Sequence, residues 1–183
     1  ILVGLVFNYA RGINDCICVC KPKGFGKSTD ADMLVAYYSK GCDSHELFDF
    51  FNVSKTKNYL KHLNQHNVIY LNMQRFLSIA YQVDEMLLLL NKRICNELKR
   101  SFLVELFDPD NLILTLEDIY SELKERFIFV IDEWDCIFRE YKENKDDQEK
   151  YLDFLRNLLK DREYVEVVYM TWILPIKKYE THS

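Results

Sequence analysis

The sequence predicts a three-layer α/β/α fold on a mainly parallel central sheet, and three observations carry that prediction. Runs of β-branched and aromatic residues alternate with runs of helical periodicity, the pattern of repeated strand–helix crossovers. Phe127–Ile131 is apolar at every position, as suits a central strand covered on both faces. Cys16–Cys20 has strand character and runs through a Pro- and Gly-punctuated loop into a helical pattern, so strand, glycine loop and helix follow directly.

A chain of 183 residues with 49% hydrophobic and 29% charged residues fits one domain with a real core. One domain over residues 1–183, truncated at both ends, is expected, because the chain opens without Met. Five Gly and three Pro leave little room for low complexity. A net charge of −5 argues against broad nucleic-acid binding, which needs a basic surface. The opening Ile1–Phe7 is too short to span a bilayer and lacks a basic lead, so a cytoplasmic protein without a membrane partner is expected. Cys16, Cys18 and Cys20 alternate on one strand and face one way. Without a second pair at zinc spacing they read as buried, reduced core thiols.

In order, Leu2–Ile13 reads as a helix leading to the first strand, and Ala31–Ser39 as a helix stopped at Gly41. Asp43–Glu46 opens a short helical turn with Leu47, Phe48, Phe50 and Phe51 as its apolar side, and a helix and turn follow over 58–67. Val68–Asn72 is a strand. Val83–Leu106 reads as one long amphipathic helix through Leu87, Leu90, Ile94 and Leu98. Asp108–Asn111 breaks it, and Thr115–Asp118 opens a helix to Glu125 with a capping-box pattern. After Phe127–Ile131, Asp146–Arg162 is a charged helix with Tyr151, Phe154, Leu155 and Leu158 inward, and Val165–Met170 is the last strand.

Chemistry enters at Pro22-Lys23-Gly24-Phe25-Gly26-Lys27-Ser28-Thr29. Gly-Lys-Ser at a loop–helix join suits a phosphate chain. Helix-start amides and the helix dipole favour an anion, the lysine reaches the β/γ-phosphates, and the serine hydroxyl ligates Mg²⁺. The usual pattern has a further glycine where Lys21 stands. A surface turn with Ser28 as N-cap reads the same residues.

The second motif is Asp132-Glu133, directly after the most apolar strand. Carboxylates at the C-terminal end of a buried parallel strand are costly unless used, and that edge is where ligands bind. Asp132 is a metal ligand candidate, and Glu133 a group to orient and deprotonate water. The competing reading is a helix start, with Trp134 and Phe138 packing. Thr171, ending the last strand, is a candidate γ-phosphate sensor, with Asn72 a weaker one. His45, His62, His66 and His182 show no ligand spacing and read as solvated, and Lys177-Lys178 as surface charge. Arg139 and Arg156 are candidates for an arginine finger.

The phrases Pro22–Ser28, Met33–Cys42, Asn67–Met73, Ile131–Asp135 and Ile173–Tyr179 together resemble the bacterial AAA-ATPase-like family of P-loop NTPases. The resemblance implies a P-loop fold, with Lys27 and Ser28 at the phosphates and Mg²⁺ and with Asp132 and Glu133 as the second carboxylate motif. Longer members carry a restriction-endonuclease-like nuclease module further on, and no nuclease activity follows for this chain. The family loop usually reads Arg-Pro-Arg-Arg-Phe-Gly-Lys, whereas Lys21 and Lys23-Gly24 stand here. The expected function is a Mg²⁺-ATP-binding domain that hydrolyses ATP slowly to drive or gate a protein partner or a missing nuclease-like module, alone or as an oligomer. The alternatives are a non-hydrolysing nucleotide-dependent interaction module and a degenerate copy.

Overall fold

The computed structural model describes residues 15–20 and 26–173, the side chains of 15 and 27 excepted. Four strands, β1 (Asp15–Cys20), β2 (Asn67–Asn72), β3 (Phe127–Asp132) and β4 (Val165–Trp172), form one sheet in the order β1-β4-β3-β2. Every pairing is parallel, so all four C-terminal ends meet at one edge, as ligand-binding α/β sheets require. The helices are α1 (Lys27–Tyr38), α2 (His45–Phe48), α3 (Tyr59–His62), α4 (Met73–Ser78), α5 (Val83–Ser101), α6 (Leu112–Leu123), α7 (Cys136–Glu140) and α8 (Lys145–Leu159). Among the described residues, a 3₁₀ turn covers Asn52–Lys55. The expected helix over 2–13 lies outside the described residues.

All six residues of β3 are buried, and period-2 alternation divides them between two cores. Ile128 and Val130 join Val167, Tyr169 and the inward residues of α1 to α3, including Leu34, Tyr37, Phe48 and Tyr59. Phe127, Phe129 and Ile131 face Leu90, Ile94, Leu116, Tyr151 and Leu158 from α5, α6 and α8. The result is the three-layer α/β/α sandwich with a parallel sheet that the alternation predicts.

Several boundaries differ. The long helix ends at Ser101, not Leu106, with Phe102 extended and its N–H donating to Leu98 O. Beyond it Phe102, Val104 and Leu106 are half-buried while Leu103, Glu105 and Phe107 are exposed, a period of two that belongs to extended chain. Phe102 is fixed by an edge-to-face contact with Phe127, centroids 5.7 Å apart. Helix α6 starts at Leu112, because Asn111 is its cap: the Asn111 side chain accepts from Ile113 N at 3.1 Å and Leu114 N at 3.3 Å. Thr115 is therefore inside the helix and fully buried, not a cap. Helix α8 ends at Leu159, and Asn144 caps it. Helix α4 follows β2 directly, where the sequence pattern shows no helix; Asn72 caps it by accepting from Arg75 N at 2.8 Å. The thiols of Cys16, Cys18 and Cys20 are exposed, not buried, on one of the two outer strands of the described sheet.

Candidate functional site

Helix α1 opens at Lys27, one residue after Gly26, whose φ of +75° lies in the left-handed region. Glycine adopts that conformation without the penalty a Cβ brings. Ser28 consequently falls in the first helical turn and caps nothing. Its Oγ instead donates to Asp132 Oδ2 at 2.7 Å, across 104 residues of sequence. Pro22, Lys23, Gly24 and Phe25 lie outside the described residues, as does the Lys27 side chain. Thr29 sits exposed beside Ser28.

Asp132 is fully buried at the C-terminal end of β3. Its Oδ1 accepts a short hydrogen bond from the Thr171 hydroxyl of β4, also fully buried. That hydroxyl accepts in turn from Glu133 N at 3.1 Å, which fixes its single proton toward Asp132. Among the described side chains, then, the Asp132 carboxylate meets two hydroxyls and no cation. Two of its neighbours feel its charge. The Tyr169 phenol is pushed up by burial, then by Asp30 and Asp132, and the Tyr70 phenol is raised chiefly by burial, with Asp132 adding to it. The Tyr169 oxygen is buried without a hydrogen-bond partner among the described atoms.

Glu133 turns the chain off β3 with φ +54°, left-handed for a residue with a Cβ. Trp134 N donating to Thr171 O at 3.1 Å holds this turn against β4. The Glu133 carboxylate points to α7, where Arg139 Nη2 lies 2.7 Å from its Oε2. The same nitrogen donates to Gln74 Oε1 of α4 at 3.2 Å, and Arg139 Nε stands 3.3 Å from Asp135 Oδ2. Arg139, with 19% of its side chain exposed, is therefore committed to an internal cluster and is not presented as a finger. Arg156 is exposed and paired with Asp153. Sequence reasoning missed the Arg139–Glu133 pairing and Gln74; the i,i+4 spacing of Asp135 and Arg139 was the available signal for the first.

The edge opposite carries a second polar cluster. His62 and His66 stack with centroids 5.1 Å apart and share a hydrogen bond of 2.9 Å, and His66 Nδ1 lies 3.0 Å from Glu166 Oε2. These histidines are not simply solvated, because β4 brings in a carboxylate far away in sequence. A groove of about 740 Å³ along the outer edge of β2, between Val68, Tyr70, Ile94 and Phe102, does not include Ser28, Asp132 or Glu133. Lys177 and Lys178 lie outside the described residues. Among the described residues no helix is long and apolar enough to cross a membrane, and no three His, Cys, Asp or Glu side chains converge as a metal site.

Among solved structures, the chain is similar to Cdc6p from Pyrobaculum aerophilum, with 15% identity over 93% of this chain and 37% of that one, at a TM-score of 0.44. It is also similar to the pCW3 conjugation coupling protein TcpA in its monomer form with ATPγS, with 11% identity over 88% of this chain and 43% of that one, at a TM-score of 0.39. The chain thus spans less than half the length of each. No curated protein of similar sequence was found. A family model described as predicted AAA-ATPase matches residues 11–181, nearly the whole chain, with the Gly-Lys-Ser loop, Asp132 and Thr171 all inside the match. The protein belongs to the predicted AAA-ATPase family and is an ATPase-type domain of P-loop fold.

Proposed function

We propose that this chain binds Mg²⁺-ATP at the C-terminal edge of its sheet and hydrolyses it slowly, to drive or gate a protein partner. The observation that carries the reading is the 2.7 Å bond between Ser28 and Asp132. A hydroxyl from the start of α1 and a fully buried carboxylate from β3 share one point in space, and hard oxygens of this kind suit Mg²⁺. Bound there, Mg²⁺ would neutralise charge on the β/γ-phosphates.

The remaining roles belong to the chain. Pro22, Lys23, Gly24, Phe25, Gly26 and Thr29 are the residues proposed to bind the phosphates, and the backbone N–H groups at the start of α1 would meet the anion together with the helix dipole. Lys27 holds charge on the transferring phosphoryl group. Ser28 and Asp132 hold the ion. Thr171 orients Asp132 by donating to its Oδ1, which leaves Oδ2 toward Ser28, and it is the candidate sensor of the γ-phosphate. Glu133 orients the attacking water and takes its proton.

In the arrangement seen, Glu133 is paired with Arg139 at 2.7 Å. The Glu133 carboxylate is turned toward α7 and held there by Arg139, so turnover needs that pair to open for Glu133 to reach a water. This pairing also favours a second reading, a nucleotide-dependent interaction module in which ATP switches contacts without turnover. Two measurements separate them. ATP affinity should rise with Mg²⁺ and fall sharply in Lys27→Ala; an unchanged affinity rejects the site. Phosphate release should be lost in Glu133→Gln with ATP retained; absence of release from the unaltered protein leaves the switch.

A further inference from the structure

We propose that Cys16, Cys18 and Met170 form a binding site for one soft monovalent metal ion, Cu(I), on one face of the β1–β4 pair, where the cysteines are exposed and Met170 is buried beside them. The parallel register sets Cys16 opposite Val168 and Cys18 opposite Met170, so the alternation of strand side chains puts both thiols and the thioether on one face. Ile17 and Val19 point the other way, into the core beneath α1. Cys16 Sγ lies 3.7 Å from Cys18 Sγ and 3.9 Å from Met170 Sδ. Metal–sulfur bonds of about 2.3 Å place sulfurs that share one ion about 3.8–4.0 Å apart, whether the ion is tetrahedral or trigonal. Cys16 already stands at that spacing from both Cys18 and Met170.

A disulfide fits less well. Strand residues two apart hold their Cα atoms about 6.6 Å apart, close to the outer limit for a bridge. The choice of ion follows from the donors. All are sulfur and one is a neutral thioether, the set that selects Cu(I). Zn²⁺ takes four N, S or O ligands, and no His, Asp or Glu joins this group among the described residues. Each ligating thiol releases its proton to solvent, and affinity falls on acidification.

The test is an anaerobic Cu(I) titration of the reduced protein against a chromophoric Cu(I) chelator, with X-ray absorption on the loaded protein. One ion per chain with a three-sulfur shell is expected. Cys18→Ser and the volume-conserving Met170→Leu should weaken binding by more than the roughly 10–100-fold that loss of an outer-shell partner costs. Met170→Leu should also reduce the shell to two sulfurs, while Cys20→Ser and Cys42→Ser change nothing. Failure to take up Cu(I), a shell containing nitrogen or oxygen, or an unaltered shell in Met170→Leu overturns the proposal. The absorption measurement needs only the unaltered chain, so it decides even where a variant fails to fold.

Discussion

Asp132 is a fully buried carboxylate satisfied by two hydroxyls, and its neighbours should register any loss. Thr171→Val keeps the volume but strips Asp132 Oδ1 and Glu133 N of their partner. It should cost about 1–3 kcal/mol, read by urea unfolding, while Thr171→Ser restores most of the loss. Arg139→Ala separates the two functional readings at one residue. Freed of the 2.7 Å pair, Glu133 should raise the basal rate of phosphate release; a fall in rate would mean that Arg139 positions the base productively. At this scale the sequence announced Gly26-Lys27-Ser28 and Asp132-Glu133 through residue type and position at strand ends. It could not announce that Arg139 turns inward, because the partners Glu133 and Gln74 come from different elements.

At the scale of elements, the caps carry the clearest expectations. Gly26 stands at φ +75° with no described atom within 4 Å of an added Cβ, so Gly26→Ala should cost about the 1–2 kcal/mol of backbone strain. A larger loss would point to contact with the preceding loop. Asn111→Ala removes the acceptor of two helix-start amides on α6 and should cost about 1 kcal/mol, whereas Thr115→Ala removes a buried hydroxyl that donates to Asp108 O at 3.4 Å. The strands were legible because β-branched runs ended in polar residues, and β3 because it lacked alternation. The end of α5 was not. Leu103 and Leu106 extend the helical pattern in sequence, yet the aromatic contact of Phe102 with Phe127 pulls the chain straight. Only packing across 25 residues decides that competition, and periodicity within one segment does not contain it.

For the whole molecule, the sheet separates two polar ends: the site edge and the His62–His66–Glu166 cluster at the N-terminal ends of the strands. The second end contributes to the pH dependence of stability. Burial, then His66 and Lys61, hold the His62 value below its ordinary 6.5. The unfolded chain therefore takes up its proton first, and native stability declines as pH falls below 6.5. Burial works to raise Glu166, but the hydrogen bond from His66 and the nearby charges hold it below its ordinary 4.5. Its contribution is full above that value and is lost as pH falls through the lowered native one. Unfolding between pH 7.5 and about 3 should show stability dropping in both ranges, and His62→Gln should flatten the first while also weakening the second, because His62 helps to lower Glu166.

The central claim is that Ser28 and Asp132 meet at a Mg²⁺-ATP site. It is tested most directly by the melting temperature of the protein with ATP, with and without Mg²⁺. A ligand at a hundred times its dissociation constant adds about 2.7 kcal/mol to native stability. The melting temperature should therefore rise with Mg²⁺-ATP, rise less with ATP alone, and stay flat in Lys27→Ala. No rise in the unaltered chain, or an equal rise in Lys27→Ala, would contradict it.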